Sequence, residues 1–243
     1  MTVSTSKEPA RIAGMFDAIA RRYDTLNHLL SAGLDRRWRR RAVRELRLTG
    51  RERVLDVCTG TADLAIEAAT SGSGAAAEVV GLDFAGEMLR LGVIKVRRAG
   101  LGARIHLARA DATRLPCRNE GFEAAMVAFG IRNVVEPRQA LAEFHRVLKP
   151  GGRLAILEFG MPRMPGLRAA YGWYFRSVLP WIGRVISSHS DAYSYLPASV
   201  AGFPSDEAFA DWLRTAGFDE VRYVPLTFGV VYLYLARKAS SRP

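Results

Sequence analysis

The 243-residue sequence predicts an α/β fold built on a doubly wound, mostly parallel sheet with an antiparallel last strand. Three observations predict it. From residue 53 to 159, short β-rich runs alternate with longer helical ones, which implies parallel pairing through right-handed crossovers. The first such run ends in Asp56-Val57-Cys58 and a tight turn, Thr59-Gly60-Thr61, the place where a doubly wound sheet holds its ligand. The last two runs, near 221–225 and 230–236, leave no room between them for a crossover helix, so they pair antiparallel.

Residues 11–31 read as a helix, with Ile12, Met15, Phe16, Ile19 and Tyr23 three or four apart. Residues 34–48 form a second, with Leu34, Trp38, Ala42 and Leu46 on one stripe and arginines around the rest. Strands follow at 53–58, 78–83, 104–109, 122–129 and 153–159, with helices at 61–71, 85–99 and 137–148. Pro137 suits a first helical turn, and Gly151-Gly152 makes a turn. Residues 165–204 break this rhythm with Tyr171, Trp173, Tyr174, Phe175, Trp181, Tyr193, Tyr195 and Phe203, and read as an inserted lid or cap. Residues 204–217 supply the final helix.

Lys and Arg total 35 against 24 Asp and Glu, a formal charge of +11, with 49% hydrophobic and 24% charged residues. These values exclude a disordered tail, a collagen and a disulfide-rich mini-domain. No stretch approaches the roughly 18 uninterrupted apolar residues of a spanning helix; the most apolar region, 171–187, is broken by Arg176, Pro180 and Arg184. Cys58 and Cys117 lie far apart and match no metal spacing, so they read as reduced thiols and no metal is expected. Residues 1–9 lack the apolar core of a secretory signal, and the expected compartment is the cytoplasm. Much of the basic excess sits early, from Arg21 and Arg22 through Arg36, Arg37, Arg39, Arg40, Arg41, Arg44 and Arg47 to Arg51 and Arg53. Such a cluster is a solvated face or a partner for phosphate, of nucleic acid or of anionic lipid, and composition does not choose.

The chemistry-bearing residues stand at strand ends. Gly60 lets backbone approach a ligand with no Cβ in the way. The turn has neither the three glycines of a dinucleotide fingerprint nor the Gly-Lys-Ser/Thr of a P-loop, and acidic flanks, Asp56 and Asp63, suit a ligand carrying positive charge. Asp83, ending the second strand, is placed to accept both hydroxyls of a ribose, or to cap the next helix. Asp111, followed by Ala112, is placed to accept from the exocyclic amine of adenine. In this order the signals resemble the S-adenosylmethionine site of class I methyltransferases, whose sheet is Rossmann-like.

Longer blocks carry a closer resemblance. They are Met15-Phe16-Asp17-Ala18-Ile19-Ala20, Arg22-Tyr23-Asp24-Thr25-Leu26-Asn27, Phe129-Gly130-Ile131-Arg132-Asn133-Val134 and Arg146-Val147-Leu148-Lys149-Pro150-Gly151-Gly152. Leu157-Glu158-Phe159-Gly160 and Asp191-Ala192-Tyr193-Ser194-Tyr195-Leu196 follow. From about residue 11 to 238 the chain resembles the UbiE/COQ5-type ubiquinone/menaquinone biosynthesis C-methyltransferases. The resemblance implies S-adenosylmethionine as cofactor at Thr61, Asp83, Asp111 and Ala112, with Asp56 and Gly60 supporting the same turn. Three departures stand out: Ala62 where the family usually has glycine, Asp35 where a histidine is common, and Gly160 and Ala128 where serine is found.

The resemblance further implies methylation of a ring carbon of a reduced polyprenyl quinone, demethylmenaquinol to menaquinol, with the benzoquinol of ubiquinone biosynthesis as the alternative. An RNA methyltransferase and a non-catalytic accessory of a quinone-synthesis complex are rival readings. Arg132 and Asn133 are candidates for the quinol oxygen, with a structural ion pair as the alternative for Arg132. His189, Asp191 and Tyr195 form a second catalytic group, although a lone loop histidine is more often simply exposed. Tyr23, Asp24 and Asn27 are expected to help close the site. The implied division is a helical, membrane-facing cap at 1–48 and a methyltransferase domain at 49–243, with an aromatic-rich insertion at about 165–204. Expected partners are a polyprenyl quinol and an anionic membrane surface on the inner face, met peripherally by the basic helices and the aromatic insertion. No nucleic acid is expected, and a homo-oligomer is left open.

Overall fold

The computed structural model describes residues 9–173, 177 and 191–240. Strand β1 (Arg53–Val57) is buried on both faces: Val54 joins one apolar cluster, Leu55 and Val57 the other. That two-sided burial is the mark of a central strand in a covered sheet. β2 (Glu78–Asp83), β3 (Ile105–Arg109), β4 (Phe122–Ala128) and β5 (Leu148–Phe159) extend it in parallel. β7 (Val231–Lys238) then lies antiparallel between β5 and β6 (Phe218–Leu226). The seven strands run in the order β3-β2-β1-β4-β5-β7-β6. The order reverses at β1/β4, which opens a crevice outside the carboxyl ends of those strands.

α2 (Leu34–Glu45), α3 (Asp63–Thr70) and α4 (Gly86–Arg98) cover one face; α5 (Pro137–Val147) and α8 (Glu207–Thr215) cover the other. Pro137 does occupy the first turn of α5, where its missing N–H costs nothing. Phe144 and Phe209 anchor the second face and are fully buried, each contributing about 1.5–3 kcal/mol. Trp38, Ala42 and Val43 put α2 inside the same cluster as Val54, so this helix is part of the sheet's own core. α1 (Pro9–Leu30) lies on α4 through Ala20, Phe16 and Tyr23 packed on Ala85 and Met88. α6 (Pro165–Trp173) and α7 (Asp191–Gly202) are the described parts of the insertion. Its aromatic residues divide: Tyr195 and Phe203 are buried, whereas Trp173 is exposed.

Several boundaries differ from expectation for local reasons. α2 stops at Glu45 because Arg47 takes a left-handed φ of 47°. β5 starts at Leu148 rather than 153, absorbing the Gly151-Gly152 turn as an irregularity in its pairing with β4. α8 starts only at Glu207, after Asp206 at φ 58°. Between β6 and β7 the chain turns through three consecutive left-handed residues, Thr227, Phe228 and Gly229, at φ 46°, 58° and 89°. For the β-branched and aromatic pair this costs about 1–2 kcal/mol per residue. Trp38 Nε1 donates to Thr227 Oγ1 at 2.9 Å and fixes the turn against α2. Among the described residues no helix is long and apolar enough to cross a membrane.

Candidate active site

A cavity of about 320 Å³ opens at the carboxyl ends of β1, β2 and β4. Its floor is the turn after β1. Gly60 sits there at φ 56° and donates its N–H to Asp83 Oδ2 at 2.8 Å, while Ala85 N–H donates to Asp83 Oδ1 at 2.8 Å. Each carboxylate oxygen keeps a further lone pair, and Asp83 lines the cavity. Burial raises the Asp83 pKa against the backbone N–H bonds that favour its charge. Asp111, on the same wall, accepts from Thr113 N–H and Oγ1, both at 2.8 Å, and Ala112 beside it is buried. So Gly60, Asp83, Asp111 and Ala112 line one cavity.

Asp56 and Thr61 take supporting positions. Asp56 lies under the turn, accepting from Thr59 Oγ1 at 2.6 Å. Burial first, and the nearby Asp83 charge, push its pKa up to about 7. Thr61 Oγ1 donates to Asp24 Oδ1 at 2.6 Å and accepts from Lys95 Nζ at 3.1 Å. Lys95 also pairs with Asp24 and Asp63, which ties α1 to the turn. A second, polar cavity of about 30 Å³ adjoins the turn, lined by Tyr23, Arg39, Asp56 and Thr61. Arg39 is buried there and held by Asp35 at 2.6 Å. Neither Arg39 nor Lys95 was legible as a site residue, because each is one basic residue at a helical position with no motif around it.

The opposite wall of the main cavity is α1, through Ile12, Ala13, Phe16 and Tyr23. The periodicity of 11–31 gave the stripe but not the surface it covers. Burial raises the Tyr23 pKa, opposed by its bond with Asn27 and by Arg132 and Arg39. Asp24 closes on Thr61, so both Tyr23 and Asp24 bear on the site.

Arg132 departs from the expected pose. It is buried, with Nη1 donating to Glu158 Oε1 at 2.7 Å and to Phe129 O at 2.6 Å. Its guanidinium lies 5.2 Å from the Phe159 ring centroid. It does not line the cavity; the ion-pair alternative is the one the geometry shows, since a guanidinium this buried requires a carboxylate. Asn133 does line the cavity, and its Oδ1 is buried with no hydrogen-bond partner among the described residues. The buried Tyr195 hydroxyl is also unpartnered among them, and Arg132, Glu158 and Arg11 are charged groups near it. Asp191 opens α7. His189 lies outside the described residues.

The lining chemistry selects the ligand's charge. Asp83, Asp111 and Glu136 line the main cavity, and no Lys or Arg is among its described lining residues. A polyphosphate has no cation to meet among these residues, whereas a sulfonium cation has carboxylates to meet. A family profile described as the ubiE/COQ5 methyltransferase family matches residues 2–238. The chain belongs to the ubiE/COQ5 methyltransferase family. It is therefore a methyltransferase enzyme with S-adenosylmethionine as its cofactor, and the rival readings as an RNA-modifying enzyme or an accessory protein are set aside.

Relatives match over nearly their whole length. The chain is 47% identical over 233 residues to the ubiquinone/menaquinone biosynthesis C-methyltransferase UbiE of Geobacter sp. (strain M21), covering 96% of this chain and 98% of the relative. It is 47% identical over 221 residues to the demethylmenaquinone methyltransferase of Thermus thermophilus, covering 91% and 98%. In fold it is similar to a SAM-dependent methyltransferase from Aquifex aeolicus, at a TM-score of 0.58 and 20% identity over 82% of this chain and 88% of that one. It is also similar to the [4+2]-cyclase SpnF, at 0.64 and 20% over 85% and 81%. The second pairing shows that this fold alone does not fix the chemistry.

Of the chain's departures from the family, the one at 160 has a steric reason and the one at 62 has none in the structure. Ala62 adopts φ 68°, the left-handed conformation a glycine supplies without steric cost. A Cβ at Gly160 would lie 2.5 Å from the Tyr232 ring, so a serine there is incompatible with Tyr232 in its present position. Ala128 lines the cavity without offering a side-chain hydrogen bond.

Proposed function

We propose that the protein methylates a ring carbon of a reduced polyprenyl quinone, converting demethylmenaquinol to menaquinol. The observation that carries this reading is the match, over nearly full length, to relatives named for quinone C-methylation. The cavity supports it: carboxylates on the sheet side suit the cofactor, and the apolar α1 wall suits a hydrophobic ring.

S-adenosylmethionine, when bound, supplies an electrophilic methyl group. Asp83 binds the ribose, Asp111 and Ala112 the adenine, and Gly60 admits the backbone's close approach. Thr61 and Arg39, at the smaller polar cavity, hold the amino-acid end, Arg39 meeting its carboxylate. The quinol must become a carbon nucleophile, and a phenol-type hydroxyl has a pKa of about 10. Asn133 Oδ1, without a partner among the described residues at the cavity wall, accepts the quinol hydroxyl and orients the ring. Alignment of this kind contributes roughly 7–11 kcal/mol in well-oriented reactions. Proton removal is assigned to the group His189, Asp191 and Tyr195. Arg132 acts by holding Glu158 and the 129–133 loop that carries Asn133. The polyprenyl tail resides in a bilayer, so the enzyme works at an anionic membrane surface from the cytoplasmic side.

The benzoquinol of ubiquinone biosynthesis is the second reading, favoured by relatives whose names carry both quinones. Purified protein supplied with methyl-labelled cofactor and each reduced quinone precursor tests the pair. Label in the naphthoquinol fraction is the expected result. Label in the benzoquinol fraction alone replaces the first reading with the second, and label in neither rejects both.

A further inference from the structure

Phe228 has no explanation inside the fold. The residue is 74% exposed, and its backbone is left-handed, between Thr227 and Gly229, also at positive φ. Asparagine and glycine adopt that backbone readily; phenylalanine does so rarely. Met164 stands nearby and is 60% exposed. The segments run side by side: Gly160 N–H donates to Val230 O at 3.0 Å, and a Cβ at Gly229 would lie 3.6 Å from Pro162 Cα.

Topology places this apolar edge on the same side of the sheet as the site. β6 is antiparallel to β7, which is antiparallel to β5, so β6 points the same way as β1, β4 and β5. The turn after β6 therefore stands at the carboxyl edge of the sheet, the edge on which the main cavity opens at β1, β2 and β4. Charge flanks it. Trp38 binds the turn through Thr227, and the adjoining start of α2 exposes Arg36 and Arg37. Arg37 has no ion-pair partner among the described residues.

We propose that this edge docks on an anionic lipid bilayer, with Phe228 and Met164 entering the acyl boundary and Arg36 and Arg37 meeting lipid phosphates. An exposed ring beside exposed cations is the pattern of interfacial attachment. The docking faces the cavity mouth toward the layer in which a polyprenyl chain dissolves. It rests on the proposed substrate only for its purpose; the surface stands on its own geometry.

Co-sedimentation of the full chain with phosphatidylcholine vesicles, with and without phosphatidylglycerol, tests it. The wild type is expected to bind the phosphatidylglycerol vesicles and to release as salt rises. Phe228→Asn is expected to lower partitioning about tenfold while its thermal midpoint holds or rises, since asparagine relieves the turn. Arg36→Glu with Arg37→Glu is expected to abolish the preference for phosphatidylglycerol. Both variants are expected to methylate a short-chain, water-soluble quinol at the wild-type rate. That assay separates the two readings: no transfer to any quinol rejects the proposed function and leaves docking to be judged by sedimentation. Wild-type protein remaining in the supernatant overturns the docking proposal, as does Phe228→Asn binding vesicles like the wild type. So does a concentration-dependent dimer that Phe228→Asn dissolves while vesicle binding persists, for the patch would then be a contact between copies.

Discussion

Asp83 braces the turn before it meets any ligand, because Gly60 and Ala85 both donate to it. Asp83→Asn leaves one acceptor oxygen where two served, and a hydrogen bond to a charged group contributes about 1.5–3 kcal/mol. The cofactor dissociation constant is expected to rise at least about tenfold by calorimetry; an unchanged constant would remove the ribose assignment. This residue was legible in the sequence because the signal is local, a hydrophobic strand ending in an acid. Arg132 was legible as important but not in its direction. Its partner Glu158 lies on β5, and no local pattern says which way a guanidinium turns at a loop. Arg132→Met strands Glu158 in the interior, and breaking a buried pair costs about 3–5 kcal/mol. Urea unfolding should show that loss, and Arg132→Met with Glu158→Gln should recover much of it. A single variant of normal stability with lowered turnover would instead place the guanidinium in the reaction.

α1 is a wall of the cavity held to the rest of the molecule through side-chain ties, among them His28 to Asp35 at 2.8 Å. Asp24 meets Thr61 and Lys95, and Asp17 accepts from Glu87 N–H at 2.8 Å. Elements held this way open at lower free energy than a sheet core. Asp24→Ala is expected to accelerate amide exchange in α1 while leaving β1 and β4 protected, and to weaken cofactor binding. Equal exchange in both proteins would show that apolar packing on α4 alone holds the helix. Periodicity made the existence of α1 plain from the sequence. Its docking on α4 was not readable, since the same stripe fits any apolar surface. The strands were readable for the opposite reason: burial on both faces leaves short, mainly apolar runs such as Val54 to Val57, interrupted there by Asp56 alone.

Across the whole molecule, two carboxylates pull stability in opposite directions with pH. Asp56, its pKa raised to about 7 from 3.8, keeps a proton that the unfolded chain releases, so stability falls as pH rises between those values. Asp83 is shifted in the same direction. Glu52 is opposed by its own burial, yet bonds from the Thr49 backbone and Arg153 hold it down to about 2. Its contribution is present above the unfolded value of 4.5 and is lost as pH falls toward 2. Thermal melts of Asp56→Asn against wild type should therefore show a difference that moves in the variant's favour from about pH 4 to about pH 8. A difference independent of pH would mean that Asp56 is not the group responsible. The strand order also bears on how the chain is born. β7 follows β6 yet sits between it and β5. A nascent chain halted inside the 227–229 turn would carry two open strand borders, one on β5 and one on β6, until translation delivers the missing spacer. Those borders are templates for mispairing, so slow synthesis or truncation at this point is where aggregation of newly made protein should begin.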